Sequence, residues 1–327
     1  MKSLVTGATG FIGSHLVDAL LKEGHDVTAL VRTSSSLRWL EGKAIRLATG
    51  DVRDPASLKD ALRDQEYVFH LAGKVAARSF REFDETNHVG TRNLMDAILK
   101  HGREVKKVVY VSSLAAGGPT TPDHPLTEED PSHPISLYGK SKYLGEQAVL
   151  DCRDRVNVVA VRPPIVYGPR DRGVLPFFRM VKRHLQFNLG FRDRYVTVVH
   201  VLDVARALIM VATREEARDG FYYIDDGNPV ATWLDVEKII KGAVNSWTVT
   251  LRMPVTPFFL ASSVLHGLQY VTGKTSFFNL PKYRELIQTA WLCDGGKMRR
   301  ELGFEPVVSA EQGIPETARW YERMGWI

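Results

Sequence analysis

Short apolar segments alternate with longer segments of helical periodicity over the first half of the chain, and this alternation restricts the fold more than any other feature. The apolar segments predict strands over residues 4–5, 27–31, 45–47, 67–71, 108–111 and 156–161. Helices are predicted over residues 11–22, 55–63, 87–101 and 136–150. Strands that are joined through helices form right-handed crossovers within a parallel sheet covered on both faces. The sequence therefore predicts an α/β fold with a doubly wound parallel sheet.

The alternation ends after Arg162, where the chain is interrupted by Pro163, Pro164, Pro169 and Pro176. We expect a first domain over residues 1–168, to which a predicted strand and helix over residues 196–215 return. Residues 169–195 and 216–327 are expected to form a smaller domain of mixed α/β structure that binds the substrate.

The composition is that of an ordinary globular protein, with 44% hydrophobic and 25% charged residues. Two cysteines, Cys152 and Cys293, are too few for a disulfide scaffold, and they are not spaced as metal ligands. The formal charge of +5 suits an anionic small molecule, and no motif supports nucleic-acid binding. The N-terminus lacks the features of a signal peptide. The longest apolar stretch, residues 257–271, is too short and too polar to span a bilayer, although contact with a membrane surface remains an alternative to a packed helix. We therefore expect a cytoplasmic protein without a metal.

The first predicted strand is joined to the first helix by a glycine-rich turn, Thr6-Gly7-Ala8-Thr9-Gly10-Phe11-Ile12-Gly13. Glycine at three points removes the β-carbons that would hold the backbone away from a pyrophosphate. The helix start supplies free N–H groups and the positive end of its dipole. A tight turn without a ligand is the alternative, but the position between a strand and an amphipathic helix favours a dinucleotide. The residues assigned to cofactor binding are Gly7, Thr9, Gly10, Phe11, Ile12 and Gly13.

The spacing Gly-x-x-Gly-x-x-Gly resembles that of the extended short-chain dehydrogenases/reductases, also called NAD-dependent epimerases/dehydratases. This resemblance implies a Rossmann fold that holds a nicotinamide cofactor. It further implies that Asp51, with Val52 beside it, contacts the adenine. At the end of the fourth strand, the residues that would line a ribose are Leu71, Ala72 and Gly73. After the sixth strand, Pro163 and Val166 would flank the nicotinamide.

The end of the second strand bears on the choice between NAD and NADP, because an acidic residue there binds the ribose hydroxyls of NAD. Val31 stands where family members that prefer NAD carry Asp, and Arg32 follows it. A guanidinium pairs with a 2′-phosphate in bidentate fashion, and Ser34 or Ser35 adds a hydroxyl donor. An exposed arginine that merely ends a strand is the alternative. The sequence favours NADP over NAD.

Tyr138 and Lys142 lie four residues apart on a predicted helix, so their side chains project from one face. A phenol has an ordinary pKa of about 10, and a nearby ammonium lowers that pKa, which favours proton exchange with an alcohol or ketone oxygen. A pair on a helix surface without a function is the alternative. The resemblance implies that Ser113, at the end of the fifth strand, holds the substrate oxygen toward Tyr138, and that Lys142 binds the nicotinamide ribose. It also gives Asn87 a structural role near the site. We expect Ser113, Tyr138 and Lys142 to be catalytic.

Three departures from the family pattern bear on the substrate. Sugar-nucleotide epimerases carry Phe-Asn where this chain has Pro164 and Ile165, and sugar dehydratases carry Asp-Glu where it has Leu114 and Ala115. Val196 replaces an arginine that clamps a diphosphate. The Pro-Pro sequence is similar to that of the 3β-hydroxysteroid-dehydrogenase and dihydroflavonol-reductase branches, which implies a hydrophobic secondary alcohol or ketone.

The sequence thus predicts an oxidoreductase that exchanges hydride between NADP(H) and a secondary alcohol or ketone. A nucleotide-sugar epimerase with tightly bound NAD is the first alternative, and a non-catalytic NADP(H)-binding sensor or assembly subunit is the second. The resemblance also allows a homodimer through the Tyr138 helix. Apolar residues of the second half either line a substrate pocket or form ordinary core; they are Leu175, Phe177, Phe178, Phe258, Phe259, Leu265, Phe277 and Phe278.

Overall fold

The computed structural model describes residues 1–218, 220–228, 231–257, 259, 263, 267 and 280–327. In chain order its strands are β1 (Lys2–Thr6), β2 (Asp26–Val31), β3 (Arg46–Thr49), β4 (Tyr67–His70), β5 (Lys107–Val111), β6 (Asn157–Arg162), β7 (Ile165–Tyr167), β8 (Leu185–Leu189), β9 (Tyr195–Val196), β10 (Val198–His200), β11 (Gly220–Tyr223), β12 (Ala231–Thr232), β13 (Val249–Met253) and β14 (Ala290–Trp291). Seven of these form one sheet in the order β11-β6-β5-β4-β1-β2-β3. All neighbours in this sheet run parallel. The predicted doubly wound parallel sheet is confirmed.

The α-helices of the described residues are α1 (Phe11–Lys22), α2 (Phe80–Asp84), α3 (Gly90–His101), α4 (Leu114–Gly117), α5 (Leu137–Leu150), α6 (Leu175–Lys182), α7 (Val201–Thr213), α8 (Trp233–Ala243), α9 (Leu280–Leu286), α10 (Gly296–Leu302) and α11 (Ala310–Arg323). The helix predicted over residues 55–63 is instead two 3₁₀ turns, Pro55–Leu58 and Asp60–Leu62. The helix predicted over residues 87–101 begins as a π-helical turn, Glu85–Val89, and becomes α-helical at Gly90. None of the helices in the described part of the chain has both the length and the apolar character needed to cross a bilayer.

Alternate side chains of each central strand enter two separate cores. In β5, Val108 and Tyr110 pack with α3 and α5, whereas Val109 and Val111 pack with α1 and α7. All four side chains are buried, because helices cover both faces of the sheet. Burial of each such valine stabilises the fold by about 1.5–3 kcal/mol. This explains why the central strands appear in the sequence as unbroken apolar runs.

A smaller unit is built from α6, α8 and α11 around a third core. Phe178 of α6 packs edge-on against Tyr321 of α11, with their ring centroids 5.1 Å apart. Three small sheets accompany these helices: β12-β9-β14, β10 beside β7, and β13 beside β8. The four-residue strand β11 lies at the edge of the large sheet, although the sequence analysis assigns residues 216–327 to the smaller domain. Of the segment expected to return to the first domain, α7 packs against α1, whereas β10 pairs outside the large sheet. The domain limits themselves stay a prediction.

A buried ion pair joins α5 to the end of β6. The Arg162 guanidinium donates to both carboxylate oxygens of Glu146, at 2.6 and 2.9 Å, and both side chains are almost inaccessible. Arg162 also donates to the hydroxyls of Tyr223 at 2.9 Å and Ser132 at 2.8 Å. It stacks 3.7 Å above the Phe221 ring. These contacts satisfy the guanidinium from β11, from the loop before α5 and from α5 itself.

Loss of Glu146 should therefore destabilise the fold strongly. In Glu146→Gln the guanidinium stays buried without its counter-charge, so the free energy of unfolding should fall by about 3–5 kcal/mol. Denaturant titration measures this loss. The same chemical change in an exposed ion pair, Asp60→Asn opposite Arg63, should cost less than about 1 kcal/mol. Equal losses in the two variants would show that the buried pair does not anchor α5.

Candidate active site

The three glycines of the first turn occupy three different environments. Gly7 has a φ of +71°, and a β-carbon there would lie 2.7 Å from the backbone nitrogen of Ala72. A β-carbon on Gly13 would lie 2.8 Å from the carbonyl carbon of Gly7. Gly10 is exposed at the start of α1, where a β-carbon would approach only the Gly7 carbonyl oxygen, at 3.1 Å. Gly7 and Gly13 thus fold the turn tightly against the end of β4 and leave Gly10 facing outward.

The start of α1 is suited to an anion. No side chain caps the helix at Gly10, and its first turn contains no acidic residue. The free N–H groups and the positive end of the helix dipole are therefore uncompensated by the protein's own side chains. Together with the cradle that the glycines leave open, this fits the pyrophosphate of a dinucleotide.

The other residues expected to bind a cofactor lie at the carboxyl ends of neighbouring strands. Arg32 and Ser34 follow β2 and are exposed, and Asp51 and Val52 follow β3. Leu71, Ala72 and Gly73 follow β4, where the backbone N–H of Leu71 donates to the carbonyl of Thr6. Thr9, Phe11 and Ile12 are partly exposed, and Pro163 and Val166 lie after β6. The structure thus brings the predicted residues to one edge of the sheet, the edge where ligands bind in open α/β folds.

Asp51 forms an ion pair that was not predicted from the sequence. The Arg53 guanidinium donates to both of its carboxylate oxygens, at distances of 2.6–3.1 Å. These hydrogen bonds hold the pKa of Asp51 below its ordinary value. The two side chains, with Asp54, Glu85 and Val89, line a cavity of about 410 Å³. The acidic and basic residues that lie close together in Asp51-Val52-Arg53-Asp54 are the sequence feature that could have indicated this ion pair.

Ser113 and Tyr138 meet at the carboxyl end of β5. Ser113 begins the short helix α4, and its hydroxyl accepts a hydrogen bond from the Ala115 backbone at 3.2 Å. The Leu114 backbone N–H donates to the Pro163 carbonyl at 2.8 Å, which ties this turn to the end of β6. Tyr138 lies in the first turn of α5, near enough to Ser113 for the serine hydroxyl to act on the pKa of its phenol. The predicted serine and tyrosine therefore lie side by side.

Lys142, one turn along α5, is only 4% exposed. Its ammonium nitrogen lies 4.1 Å from the centre of the Tyr110 ring. A β-carbon on Gly73 would lie 3.8 Å from the same nitrogen. Gly73 directly follows Leu71 and Ala72, and the backbone of these two residues is the part of the chain that Gly7 approaches. A continuous series of contacts therefore links the lysine to the glycine cradle.

Burial shifts the two catalytic candidates in opposite directions. It raises the pKa of Tyr138 to about 12, with the Ser113 hydrogen bond acting against this rise and the Glu285 carboxylate adding to it. It lowers the pKa of Lys142 to about 7, with Glu146 acting against this fall. The expectation that Lys142 lowers the pKa of Tyr138 is therefore wrong in this structure, because the loss of hydration outweighs any attraction between the two groups. At neutral pH Tyr138 keeps its proton.

Asn87 ties the loop after β4 to α5. Its amide nitrogen donates to the Lys74 carbonyl at 2.9 Å and to the Ser141 hydroxyl at 2.8 Å, and its oxygen accepts from the Lys74 backbone at 2.7 Å. The π-helical turn directs this buried side chain inward, as such turns often do beside functional sites. Gly145 lets α5 approach closely, since a β-carbon there would collide with the Asn87 carbonyl. This geometry agrees with the structural role expected of Asn87.

Half of the apolar pocket candidates can be placed. Leu175 and Phe178 are buried in the core of the smaller unit, and Phe177 packs edge-on against Trp233. Phe259 is 42% exposed and contacts the Tyr283 ring. Phe258, Leu265, Phe277 and Phe278 lie outside the described residues, as does most of the stretch 257–271. The α6 residues are therefore core and not pocket lining.

The position at which family members carry the arginine that clamps a diphosphate holds no cation in this chain. Val196 lies in β9 and is buried. The nearby Arg194 donates to the carbonyls of Leu189 and Gln288, at 2.8 and 2.9 Å. Its guanidinium is therefore directed at the protein backbone.

The sequence matches the NAD dependent epimerase/dehydratase family over residues 3–240. The chain belongs to this family. Its members are enzymes of the extended short-chain dehydrogenase/reductase superfamily, which confirms the resemblance drawn from the motifs and the expectation of an NAD(P)-dependent enzyme.

Among the relatives, ceramide reductase of Caulobacter vibrioides is 28% identical, with 99% of this chain and 95% of that protein covered. Sterol demethylase protein B of Methylococcus capsulatus is 30% identical over the whole of both chains. A putative dihydroflavonol 4-reductase of Synechocystis is 27% identical, with 99% and 95% covered, which supports the predicted branch. The crystal structure of UDP-glucose 4-epimerase from Thermotoga maritima with UDP-glucose has a TM-score of 0.81 at 25% identity, covering 99% of each chain.

The tight packing of the glycine turn predicts that adding one methyl group to it weakens cofactor binding. Gly13→Ala places a β-carbon against the Gly7 carbonyl, so the turn must move and the dissociation constant for the cofactor should rise about 10- to 100-fold. Fluorescence titration with NAD(P)H measures this change. Gly242→Ala in α8, where a β-carbon meets nothing within 4 Å, is the matched control and should change binding by less than about two-fold. Unchanged binding in Gly13→Ala would contradict the assignment of this turn.

Proposed function

We propose that the protein is an NADP(H)-dependent oxidoreductase that exchanges hydride with a secondary alcohol or ketone on a hydrophobic substrate. The observation that carries this proposal is the placement of Ser113 beside Tyr138, with buried Lys142 one helical turn away and joined by contacts to the glycine cradle. A proton-transfer group thus lies at the same sheet edge as a site suited to a dinucleotide.

Different residues move the proton and orient the reactants. When bound, the nicotinamide supplies or accepts the hydride. Ser113 holds the substrate oxygen by a hydrogen bond, and Tyr138 exchanges a proton with that oxygen. Lys142 binds the ribose hydroxyls near Gly73, where its nitrogen is already fixed above the Tyr110 ring. Asn87 maintains the spacing between the loop after β4 and α5.

The proposed direction is reduction of a ketone. A tyrosine whose pKa is about 12 retains its proton at neutral pH and is a proton donor there. A developing alkoxide at the substrate oxygen is a strong enough base to take that proton. The reverse reaction requires Tyr138 to release its proton first, which burial opposes.

Several features favour a hydrophobic substrate over a nucleotide sugar. Arg194 is engaged by backbone carbonyls, and Val196 and Leu114 are buried apolar side chains where sugar-nucleotide enzymes carry charged ones. The names of two relatives refer to ceramide and sterol, which are both lipids. The similarity to a UDP-glucose 4-epimerase structure supports the alternative, an epimerase that retains NAD.

The proposed preference for NADP rests on the loop after β2. Arg32 is exposed and forms no ion pair with the residues that the structure describes, and Ser34 is exposed beside it. A hydrogen bond from the Arg32 backbone to the Ser35 hydroxyl, at 3.1 Å, shapes the loop. Arg38, in the same loop, lies 4.6 Å from the centre of the Trp39 ring. Two exposed guanidinium groups and no carboxylate at the end of β2 favour a 2′-phosphate.

Substitution of Tyr138 tests the proposed reaction. Tyr138→Phe removes the proton donor and should lower kcat about 10²- to 10⁴-fold, while cofactor affinity changes by only a few-fold. Nicotinamide absorbance measures turnover with NADPH and a panel of hydrophobic ketones that includes ceramide- and sterol-derived ketones. Tyr143→Phe, on the same helix, is the control and should keep full activity.

The same assay separates the alternatives. An epimerase would convert UDP-glucose without net change in absorbance and would retain NAD through purification. A non-catalytic sensor would bind NADPH but turn over neither substrate class. Full activity in Tyr138→Phe would reject the assignment of Tyr138 even where reductase activity is present.

Substitution of Arg32 tests the cofactor preference. Arg32→Asp removes the partner of the 2′-phosphate and supplies a carboxylate for the ribose hydroxyls of NAD, so the NADPH/NADH affinity ratio should fall by about 10- to 100-fold. Arg103→Asp makes the same charge change just before β5, at the opposite edge of the sheet, and should leave the ratio unchanged. Equal or tighter binding of NADH by the unmodified protein would reject the preference for NADP.

A further inference from the structure

Exposed apolar side chains are concentrated on one part of the smaller unit. Of the eleven large hydrophobic residues that are exposed within the described ranges, seven lie between residues 185 and 259. Five of these belong to the β8–β13 pair and the turns beside it, and we call them the ribbon face: Leu185, Phe191, Trp247, Val249 and Leu251. Exposed apolar residues usually occur singly, so such a concentration marks an interaction surface.

The pairing of β8 with β13 puts the strand residues of this group on one side. Leu185 is directly opposite Val249, and both are exposed. The intervening Gln186 points the other way, because its amide donates to Glu237 of α8 and accepts from the hydroxyls of Thr248 and Thr250. Since side chains alternate along a strand, Leu185, Val249 and Leu251 share the opposite side, which faces solvent.

Trp247 is held in place at the edge of the ribbon face. Its ring is 63% exposed and stacks on the His184 ring, with centroids 4.3 Å apart and an angle of 10° between the planes. His184 is fixed in turn by hydrogen bonds of 2.9 Å to the Trp247 carbonyl and to the Ser246 hydroxyl. A rigid, exposed indole beside apolar side chains is the arrangement that favours the interface between hydrocarbon and water.

The charged groups around the ribbon face are almost all positive. Arg183 and Arg192 are exposed and form no ion pair with the described residues. Between residues 182 and 195 and between residues 246 and 257, the only acidic residue is Asp193. A second copy of the chain would bring the same arginines against each other across a two-fold interface, which like charges oppose. A negatively charged surface complements them.

We propose that the ribbon face docks the protein onto the surface of an anionic phospholipid bilayer. Trp247 and the exposed leucines and valine of the β8–β13 pair enter the interfacial layer, and Arg183 and Arg192 contact the phosphate headgroups. The contact is peripheral, because the apolar side chains project from a two-stranded ribbon and do not form a spanning segment. This docking surface is independent of the proposed reaction, since none of its residues lies at the catalytic edge of the sheet.

Co-sedimentation of the full-length protein with vesicles tests the proposal. The protein should bind vesicles of equal parts phosphatidylcholine and phosphatidylglycerol, bind pure phosphatidylcholine much less, and lose binding at high salt. Arg183→Gln with Arg192→Gln should weaken binding to the anionic vesicles by about 25-fold, from about five-fold for each arginine. Trp247→Ser should weaken it by about ten-fold. Val307→Ser, an exposed valine elsewhere on the surface, is the matched control and should bind like the unmodified protein.

A second measurement does not depend on the folding of a variant. Brominated lipids in the anionic vesicles should quench part of the tryptophan fluorescence of the unmodified protein. Absence of binding to anionic vesicles, equal binding to neutral ones, or binding unaffected by the arginine and Trp247 substitutions would overturn the proposal. Self-association that Trp247→Ser abolishes, without vesicle binding, would assign the ribbon face to a second copy of the chain and would equally overturn it.

Discussion

The buried Arg162–Glu146 pair is the interaction on which the geometry of the site depends. Tyr138, Lys142 and Glu146 follow each other at intervals of four residues along α5, so a fixed Glu146 fixes the axial position of the other two. Arg162 lies directly before Pro163, whose carbonyl receives the Leu114 N–H next to Ser113. One ion pair thus determines where the tyrosine and the lysine stand relative to the serine. Because the pair is buried away from water, separating the two side chains would leave each charge unpaired at a large cost in free energy.

Burial also determines the chemistry of the site. The same loss of hydration raises the pKa of the Tyr138 phenol and lowers that of the Lys142 ammonium, because it disfavours the charged form of each. Near pH 7 Tyr138 is therefore neutral, whereas Lys142 is about half protonated. A neutral phenol beside a lysine that gains or loses its proton near pH 7 is equipped to move a proton without creating an isolated charge. The sequence predicted the pair of residues but gave the wrong direction for the tyrosine, since spacing carries no information on burial.

The parts that could be predicted from the sequence are those that one periodicity or one backbone requirement controls. The alternation of strands and helices predicted the sheet, and the glycines predicted the turn, since Gly7 needs a positive φ and Gly13 a close approach. The strand β11 was missed because it is a four-residue edge strand without a strong pattern. Leu175 and Phe178 could not be separated from pocket residues, because a core and a pocket select the same apolar side chains. The Arg53–Asp51 pair was missed because neighbouring charges in a sequence do not show that the turn after β3 brings the two side chains together.

The two units of the chain are constrained to different degrees, and this difference explains why motifs identify the reaction more readily than the substrate. Each central strand of the large sheet is buried on both faces, so a substitution there disturbs a core, and the residues at its carboxyl edge keep their positions. Within the described ranges, the β8–β13 ribbon is supported on the side that faces α8, chiefly through Gln186 and Glu237. Its outer side chains are exposed and contribute little to the stability of the fold, so substitutions there are tolerated. The large sheet therefore holds its carboxyl edge in place, whereas the outer side of the ribbon is open to substitution.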